Sequence, residues 1–225
     1  MLKNNLRTKI KLSNNFTIAN SSKCFIVAEI SANHSGSLNI LKKTMIAAKK
    51  AGANAVKIQT YEADTMTLKV KNKYFLIDDK SIWKGQQLYD LYKKAETPFK
   101  WHKEIFSFAK KNNIFCFSAP FDLTAVDLLE KLNCPIYKIA SFEMTDLNLV
   151  KKVSQTKKPI IISTGMANLE EIETTIKVAK KNGAKDITLL YCVSNYPSSI
   201  SDFNLDNIKI LKDKFKCRVG ISDHS

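Results

Sequence analysis

The sequence predicts an α/β fold built on a parallel sheet. Short apolar runs recur along the chain, amphipathic stretches separate them, and each run with its stretch is close to the size of a parallel βαβ crossover. The runs are CFIVAEI (24–30), NAVKIQT (54–60), IFCFSA (114–119), PIYKIAS (135–141), PIIIST (159–164), ITLLYC (187–192) and CRVGIS (217–222). They are rich in Ile, Val, Phe and Tyr and nearly continuous in apolarity, as strands buried on both faces are.

Helical patterns lie between them over 38–51, 98–112, 122–132, 146–156, 168–182 and 204–215. Gly52 and Gly183 follow two of these, a common helix stop, and Asp122 and Asn168 are placed to cap two others at their start. The order is therefore β-α repeated, with seven strands and six helices. A doubly wound open sheet and a (β/α)8 barrel both fit that order. No G-x-G-x-x-G follows the first strand, which weighs against the dinucleotide-binding version of the open sheet. A barrel takes about 250 residues, and this chain of 225 stops just after its seventh strand. The simplest barrel account is an incomplete one, truncated before the eighth strand.

Two segments fall outside the repeat. Residues 1–23 are polar and basic and are expected to form an N-terminal arm or hairpin. Residues 61–97 are a long connection after the second strand, with a short helix expected in 83–95. Loops of that length in compact domains tend to be functional.

Composition narrows the function classes. The chain is 44% hydrophobic, enough to bury a sizeable core, and no apolar run approaches the roughly 18 residues of a membrane span. Its start has no apolar signal core, so a cytoplasmic protein is expected. The net charge is +15, from 36 basic and 21 acidic residues, yet only Arg7 and Arg218 are arginines. Lysines spread along amphipathic helices point to solvated faces and not to nucleic acid. The field they make still attracts an anionic substrate. The five cysteines are odd in number and include no C-x-x-C. They read as small buried hydrophobes in a reducing compartment, not as disulfides or a zinc site.

Polar side chains collect at one end of each strand: Glu29, Ser31, Asn33 and His34; Gln59; Ser118; Ser141 and Glu143; Ser163 and Thr164; Ser194, Asn195 and Tyr196; Ser222, Asp223 and His224. Strands stop where polarity begins, so part of this is trivial. Lys57 and Lys138 are different, because each sits inside an apolar strand, in VKIQ and YKIA. A buried unpaired ammonium is costly and tends to lose its proton. Such lysines meet a bound anion, form a Schiff base, or pair with a carboxylate such as Glu29 or Glu143. His224 alone does not make a metal site, which takes several ligands.

The ordered set AEISANHSGS, VKIQTY, SAPFD, YKIASFE, STGMANLEEI, NYPS and GISDHS resembles the sialic-acid synthase family from about residue 24 to the end. SANHSGS and the stretch 82–102 resemble its pseudaminic-acid branch. The resemblance implies a (β/α)8 TIM barrel, incomplete here with about seven of eight strands, over 24–225. It also implies a homodimer, and a C-terminal antifreeze-like domain that this chain does not contain. It implies condensation of phosphoenolpyruvate with an amino-sugar aldehyde, 2,4-diacetamido-2,4,6-trideoxy-L-altrose, to give pseudaminic acid and phosphate. The alternatives are an N-acetylneuraminate or legionaminate synthase and, from another class, an inactive fragment or non-catalytic anion-binding barrel.

By the same resemblance Lys57, Lys138, Ser141 and Ser163 hold phosphoenolpyruvate. Gln59, Ser194, Tyr196 and Ser222 contribute to the substrate site. Glu29, Glu143 and Asp223 are the catalytic acids, and His224 is a ligand of a divalent metal, Mn²⁺, Mg²⁺ or Co²⁺. One position departs from the family: Ala119 stands where a Ser or Thr usually contacts phosphate, and neighbouring Ser118 is a possible substitute.

Overall fold

The computed structural model describes residues 9–13, 16–19, 23–77 and 83–225. Of the expected arm 1–23, residues 1–8, 14, 15 and 20–22 lie outside the described residues, as does Ile82 of the 82–102 stretch. The chain divides into two compact units, 26–133 and a second made of 134–225 with the N-terminal segment.

In the second unit the N-terminal segment is an antiparallel pair, β1 (Lys9–Ser13) and β2 (Phe16–Ala19).

The unit 26–133 contains, in chain order, β3 (Val27–Glu29), α1 (Leu38–Lys50), β4 (Ala55–Thr60), α2 (Ala63–Met66), α3 (Leu88–Ala95), α4 (Phe99–Lys111), β5 (Phe115–Pro120) and α5 (Leu123–Lys131). The strands pair in sequence order and in parallel, with Glu29 opposite Lys57, Lys57 opposite Phe117 and Gln59 opposite Ala119. Strand residues alternate between faces. Val56, Ile58 and Cys116 share a core with Leu41 and Met45 of α1 and Ile105 and Ala109 of α4. Fully burying each large apolar side chain stabilises by about 1.5–3 kcal/mol. Lys57, Gln59, Phe117 and Ala119 alternate with that set and so occupy the other face of β4 and β5. Asp122 caps α5 by accepting from Ala125 N at 2.8 Å, and Gly52 ends α1 at a φ of +94°.

The unit 134–225 continues with β6 (Tyr137–Ile139), α6 (Leu147–Gln155), β7 (Ile160–Ser163), α7 (Leu169–Lys181), β8 (Ile187–Cys192), α8 (Asp206–Phe215) and β9 (Arg218–Ser222). These four strands are again parallel and in order. Lys138, Ile161, Thr188 and Arg218 align across them, Ser163 aligns with Leu190 and Gly220, and Cys192 lies opposite Ser222. The alternate residues Ile139, Ile160, Ile162, Ile187 and Leu189 are fully buried. Asn168 caps α7 in a capping box with Glu171, and Gly183 follows that helix at +106°.

The strands and helices lie where the periodicity predicts, within a few residues at each end. Two expectations need correction. Burial on both faces holds for β5, β6 and β7 but not for β3, which is three residues long and half exposed, nor for β9, where Ile221 is exposed. Cys24 is exposed, not a buried hydrophobe, because the chain reaches β3 only at Val27. The short helix expected in 83–95 is present as α3, Leu88–Ala95, after a turn through Gly85 at a φ of +79°. No helix among the described residues is long and apolar enough to cross a membrane.

Candidate active site

In the unit 134–225, β6 delivers Lys138 to the face it shares with Ile161, Thr188 and Arg218. Lys138 is 6% exposed, and its ammonium donates to the carbonyl of Ile139 at 3.2 Å. Burial pulls its pKa down to about 8, against the negative charge of Cys192 and Glu143. No ion pair joins it to Glu143 among the described residues. The alternative of a structural salt bridge is thus not realised for Lys138, whereas Lys57 does pair with Glu29.

The segments after β6, β7 and β8 bring polar groups to this lysine. Ser141 accepts from the Gly165 backbone N–H at 3.3 Å. Ser163 ends β7, is 1% exposed, and its Oγ has no hydrogen-bond partner. Glu143 opens a one-turn 3-10 helix. One of its carboxylate oxygens is buried without a partner, and burial pushes its pKa up, with its own backbone N–H and Lys138 acting against the shift. A buried unpaired hydroxyl and carboxylate oxygen are each costly until a polar partner meets them.

His224 follows β9. Its Nδ1 donates to the Val193 carbonyl at 2.9 Å, Nε2 lies 3.4 Å from Ser222 Oγ, and the Tyr196 ring stacks on it with centroids 4.2 Å apart. Cys192 Sγ is 3.5 Å from Ser194 Oγ and 3.9 Å from His224 Nδ1. Burial pushes that thiol up, but hydrogen bonds from His224, Ser141 and Ser194 outweigh it and bring the pKa to about 6. The Cys192 interaction also raises the His224 pKa, against burial. Lys138, Ser141, Glu143, Ser194, Tyr196, Ser222 and His224 therefore come together around Cys192, and Ser163 shares the strand face of Lys138. Asp223 stands apart: it is exposed, and its carboxylate accepts from Ser225 N at 3.0 Å.

In the unit 26–133, Lys57 forms an ion pair with Glu29, which also accepts from Ser31 N at 2.7 Å. Gln59 lies two residues further along the same face. Ser118 cannot substitute for the missing hydroxyl at Ala119. Its side chain points to the helix side, fully buried, bonded to Thr60 Oγ1 at 2.6 Å and to the Ile58 carbonyl at 3.1 Å. Thr60 in turn bonds His102 Nε2 of α4 at 2.8 Å. His34 is buried and holds its own turn, accepting from Gly36 N at 3.1 Å and meeting Trp101 edge-on.

Two residues of the site were not anticipated. Cys192 shares strand parity with Ser194, a signal that its apolar surroundings mask. Gly165 lies in STGM, and its meaning needs the fold: a Cβ there would stand 2.4 Å from Ser194 Oγ and 2.7 Å from the Cys192 carbonyl oxygen. For a divalent cation, the described residues offer no group of three or more His, Cys, Asp or Glu side chains. His224 supplies one nitrogen, which does not by itself make a cation site.

Residues 44–225 match the NeuB family. The chain is 48% identical over 200 residues to a pseudaminic acid synthase of Helicobacter pylori, covering 89% of this chain and 58% of that protein. It is 43% identical over 206 residues to an N,N'-diacetyllegionaminic acid synthase of Campylobacter jejuni, covering 90% of this chain and 61% of that protein. The crystal structure of an N-acetylneuraminic acid (sialic acid) synthetase from Leptospira borgpetersenii, in complex with citrate, superposes with a TM-score of 0.84 at 32% identity, covering 96% of this chain and 70% of that one. The chain thus spans about three fifths of the length of the curated relatives it matches. The fold class is α/β, with seven parallel strands in sequence order among the described residues, consistent with an incomplete (β/α)8 barrel.

Proposed function

The chain belongs to the NeuB family, and from that premise we propose that the whole protein condenses phosphoenolpyruvate with an amino-sugar aldehyde and releases inorganic phosphate. The observation that carries this reading is the buried Lys138 cation with the unpartnered hydroxyl of Ser163 on the same face of the neighbouring strand, two residues past Ile161. An anion is the partner that satisfies these groups together, and charge-assisted hydrogen bonds in a buried setting are the strong ones. In the proposed reaction C3 of phosphoenolpyruvate attacks the aldehyde carbon, water adds at C2, and phosphate leaves with cleavage of its C–O bond. Lys138, Ser141 and Ser163 hold the anionic ends of phosphoenolpyruvate. Glu143, whose carboxyl burial inclines to keep its proton, exchanges a proton with the added water or the new hydroxyl. On their motifs alone, Lys57, Gln59, Ser194, Tyr196 and Ser222 are assigned substrate-binding roles and Glu29 a catalytic one; Asp223, exposed and apart from the other groups, takes its catalytic role only from its motif. A divalent cation on His224, a cytoplasmic location and a homodimer complete the reading on the resemblance alone.

The aldehyde proposed is 2,4-diacetamido-2,4,6-trideoxy-L-altrose, giving pseudaminic acid. The 48% identity to a pseudaminic acid synthase, against 43% to a legionaminic acid synthase, supports that choice. The test is phosphate release by the full-length protein with phosphoenolpyruvate, Mn²⁺ and competing aldehydes. Preference for N-acetylmannosamine would move the protein to the neuraminic branch, and no phosphate with any amino sugar would reject the reaction. One observation favours a second reading: an amine with a pKa of about 8 suits Schiff-base chemistry. Borohydride trapping of a pyruvate or aldehyde adduct on Lys138, without phosphate release, would select it.

Ala119 offers a gain-of-function check. It lies on the face of β5 aligned with Gln59 and carries no hydroxyl. Ala119→Thr is expected to lower the phosphoenolpyruvate KM about three- to tenfold, the effect of one hydrogen bond to a charged group offset by some crowding. Steady-state kinetics of the two proteins decide it. An unchanged or higher KM with unchanged melting temperature would remove that position from the phosphate site.

A further inference from the structure

The loop after β8 grips His224 at three points. The Val193 carbonyl accepts from His224 Nδ1 at 2.9 Å, the Ser198 backbone N–H donates to the His224 carbonyl at 2.9 Å, and the Tyr196 ring lies on the imidazole at an interplanar angle of 31°. Ser198 then ties the loop to itself. Its hydroxyl lies 3.2 Å from the Val193 carbonyl and 2.9 Å from the Asn195 carbonyl. Its neighbours Pro197 and Ser199 are exposed, yet Ser198 is buried. A hydroxyl has one proton, so these two carbonyls share it, and none is left for a substrate.

The bonds form a closed circuit. From His224 Nδ1 it passes to the Val193 carbonyl, then to the Ser198 hydroxyl, and returns from the Ser198 N–H to the His224 carbonyl. A carbonyl only accepts, so Nδ1 carries the proton, and in the neutral ring Nε2 keeps its lone pair. An unconstrained neutral histidine prefers the opposite tautomer, with the proton on Nε2. The partner of one ring nitrogen thus sets what the other can do. Nε2 is the nitrogen on the side of Ser222.

We propose that Ser198 is a positioning residue: through the Val193 carbonyl it holds His224 in the Nδ1–H tautomer and in one ring orientation, so that the Nε2 lone pair is presented to the reaction. The inference rests on the reading of His224 as part of the active site. It assigns no substrate contact to Ser198 itself.

The test uses the full-length protein and ¹⁵N imidazole shifts of His224, together with steady-state kinetics of the wild type, Ser198→Ala and Ser198→Thr. The wild type should show Nδ1–H. Ser198→Ala should shift His224 toward Nε2–H and lower kcat at least tenfold, with the phosphoenolpyruvate KM changed less than twofold. Ser198→Thr, which keeps the hydroxyl, should return kcat to within threefold of wild type and keep the wild-type tautomer. If either readout stays at its wild-type value in Ser198→Ala, the proposal is overturned. Should that variant fail to fold, the wild type decides by itself, because an Nε2–H signal there overturns the proposal and Nδ1–H with a competent Ser198→Thr supports it. If the wild type releases no phosphate with any amino sugar, the reaction reading fails separately, and the tautomer measurement still stands.

Discussion

Lys138→Met is expected to lower kcat/KM for phosphoenolpyruvate by roughly 100-fold while leaving the protein at least as stable as the wild type. The two parts have one cause. Methionine matches the length and apolar stem of lysine but carries no charge, so it fits the buried position in β6 without the desolvation cost. Hydrogen bonds from a charged donor contribute about 1.5–3 kcal/mol each, which corresponds to roughly a 10- to 150-fold loss in binding. The wild type has a matching pH signature. The Lys138 pKa of about 8 means that the free protein loses this cation as pH rises through that value, so phosphoenolpyruvate affinity falls. Stability moves the other way. The folded pKa lies below the unfolded value of about 10.4, so between about pH 8 and 10.4 the unfolded chain binds more protons and stability rises with pH. Below that window the cost of burying the charge is present in full. Lys138→Met should lose both dependences. Wild-type kinetics in the variant, or a pH profile that keeps its inflection, would rule out Lys138 as the anion partner.

The legible part of this protein was what one-dimensional periodicity controls. The run 187–192 is a strand over that same range, and Asp122, Asn168, Gly52 and Gly183 cap or end the helices they adjoin. The buried-lysine argument also reached Lys138 from its apolar neighbours alone. What stayed hidden depends on which way a side chain faces and on what stands across the sheet. Ser118 and Ala119 are adjacent and differ in role because parity turns Ser118 toward Thr60 and the helix side. Lys57 and Lys138 read alike in sequence. Only register puts Glu29 opposite Lys57 and leaves Lys138 facing Ile161. Cys192 passed for a core residue because burial and apolar neighbours look the same in sequence whichever face the strand presents.

Gly165→Ala is expected to damage both stability and catalysis, although one methyl group is the smallest possible addition. The backbone there is not in the left-handed region, so alanine meets no conformational penalty and the effect is steric. The new Cβ would stand 2.4 Å from Ser194 Oγ, 2.7 Å from the Cys192 carbonyl oxygen and 3.2 Å from its carbon. The Ser194 hydroxyl can rotate away. The Cys192 carbonyl cannot, because it belongs to the end of β8, whose register with β9 is fixed through Ser222. The segment after β7 must therefore move, and with it the Gly165 N–H that donates to Ser141 Oγ. Overpacking of this kind costs about 1–3 kcal/mol, which lowers the melting temperature by roughly 2–4 °C per kcal/mol for a chain of this size. Displacing Ser141 from its partner should cut kcat/KM for phosphoenolpyruvate more than tenfold. The double variant Gly165→Ala with Ser194→Gly separates the two obstacles. If the Ser194 hydroxyl were the whole clash, the double variant would regain wild-type stability, whatever the loss of the Ser194 side chain does to substrate binding. Because the Cys192 carbonyl is the fixed obstacle, it should stay impaired. Thermal melting and phosphoenolpyruvate kinetics on the three proteins measure both effects, and a Gly165→Ala protein indistinguishable from wild type would show that the β7 and β8 loops are not packed this closely.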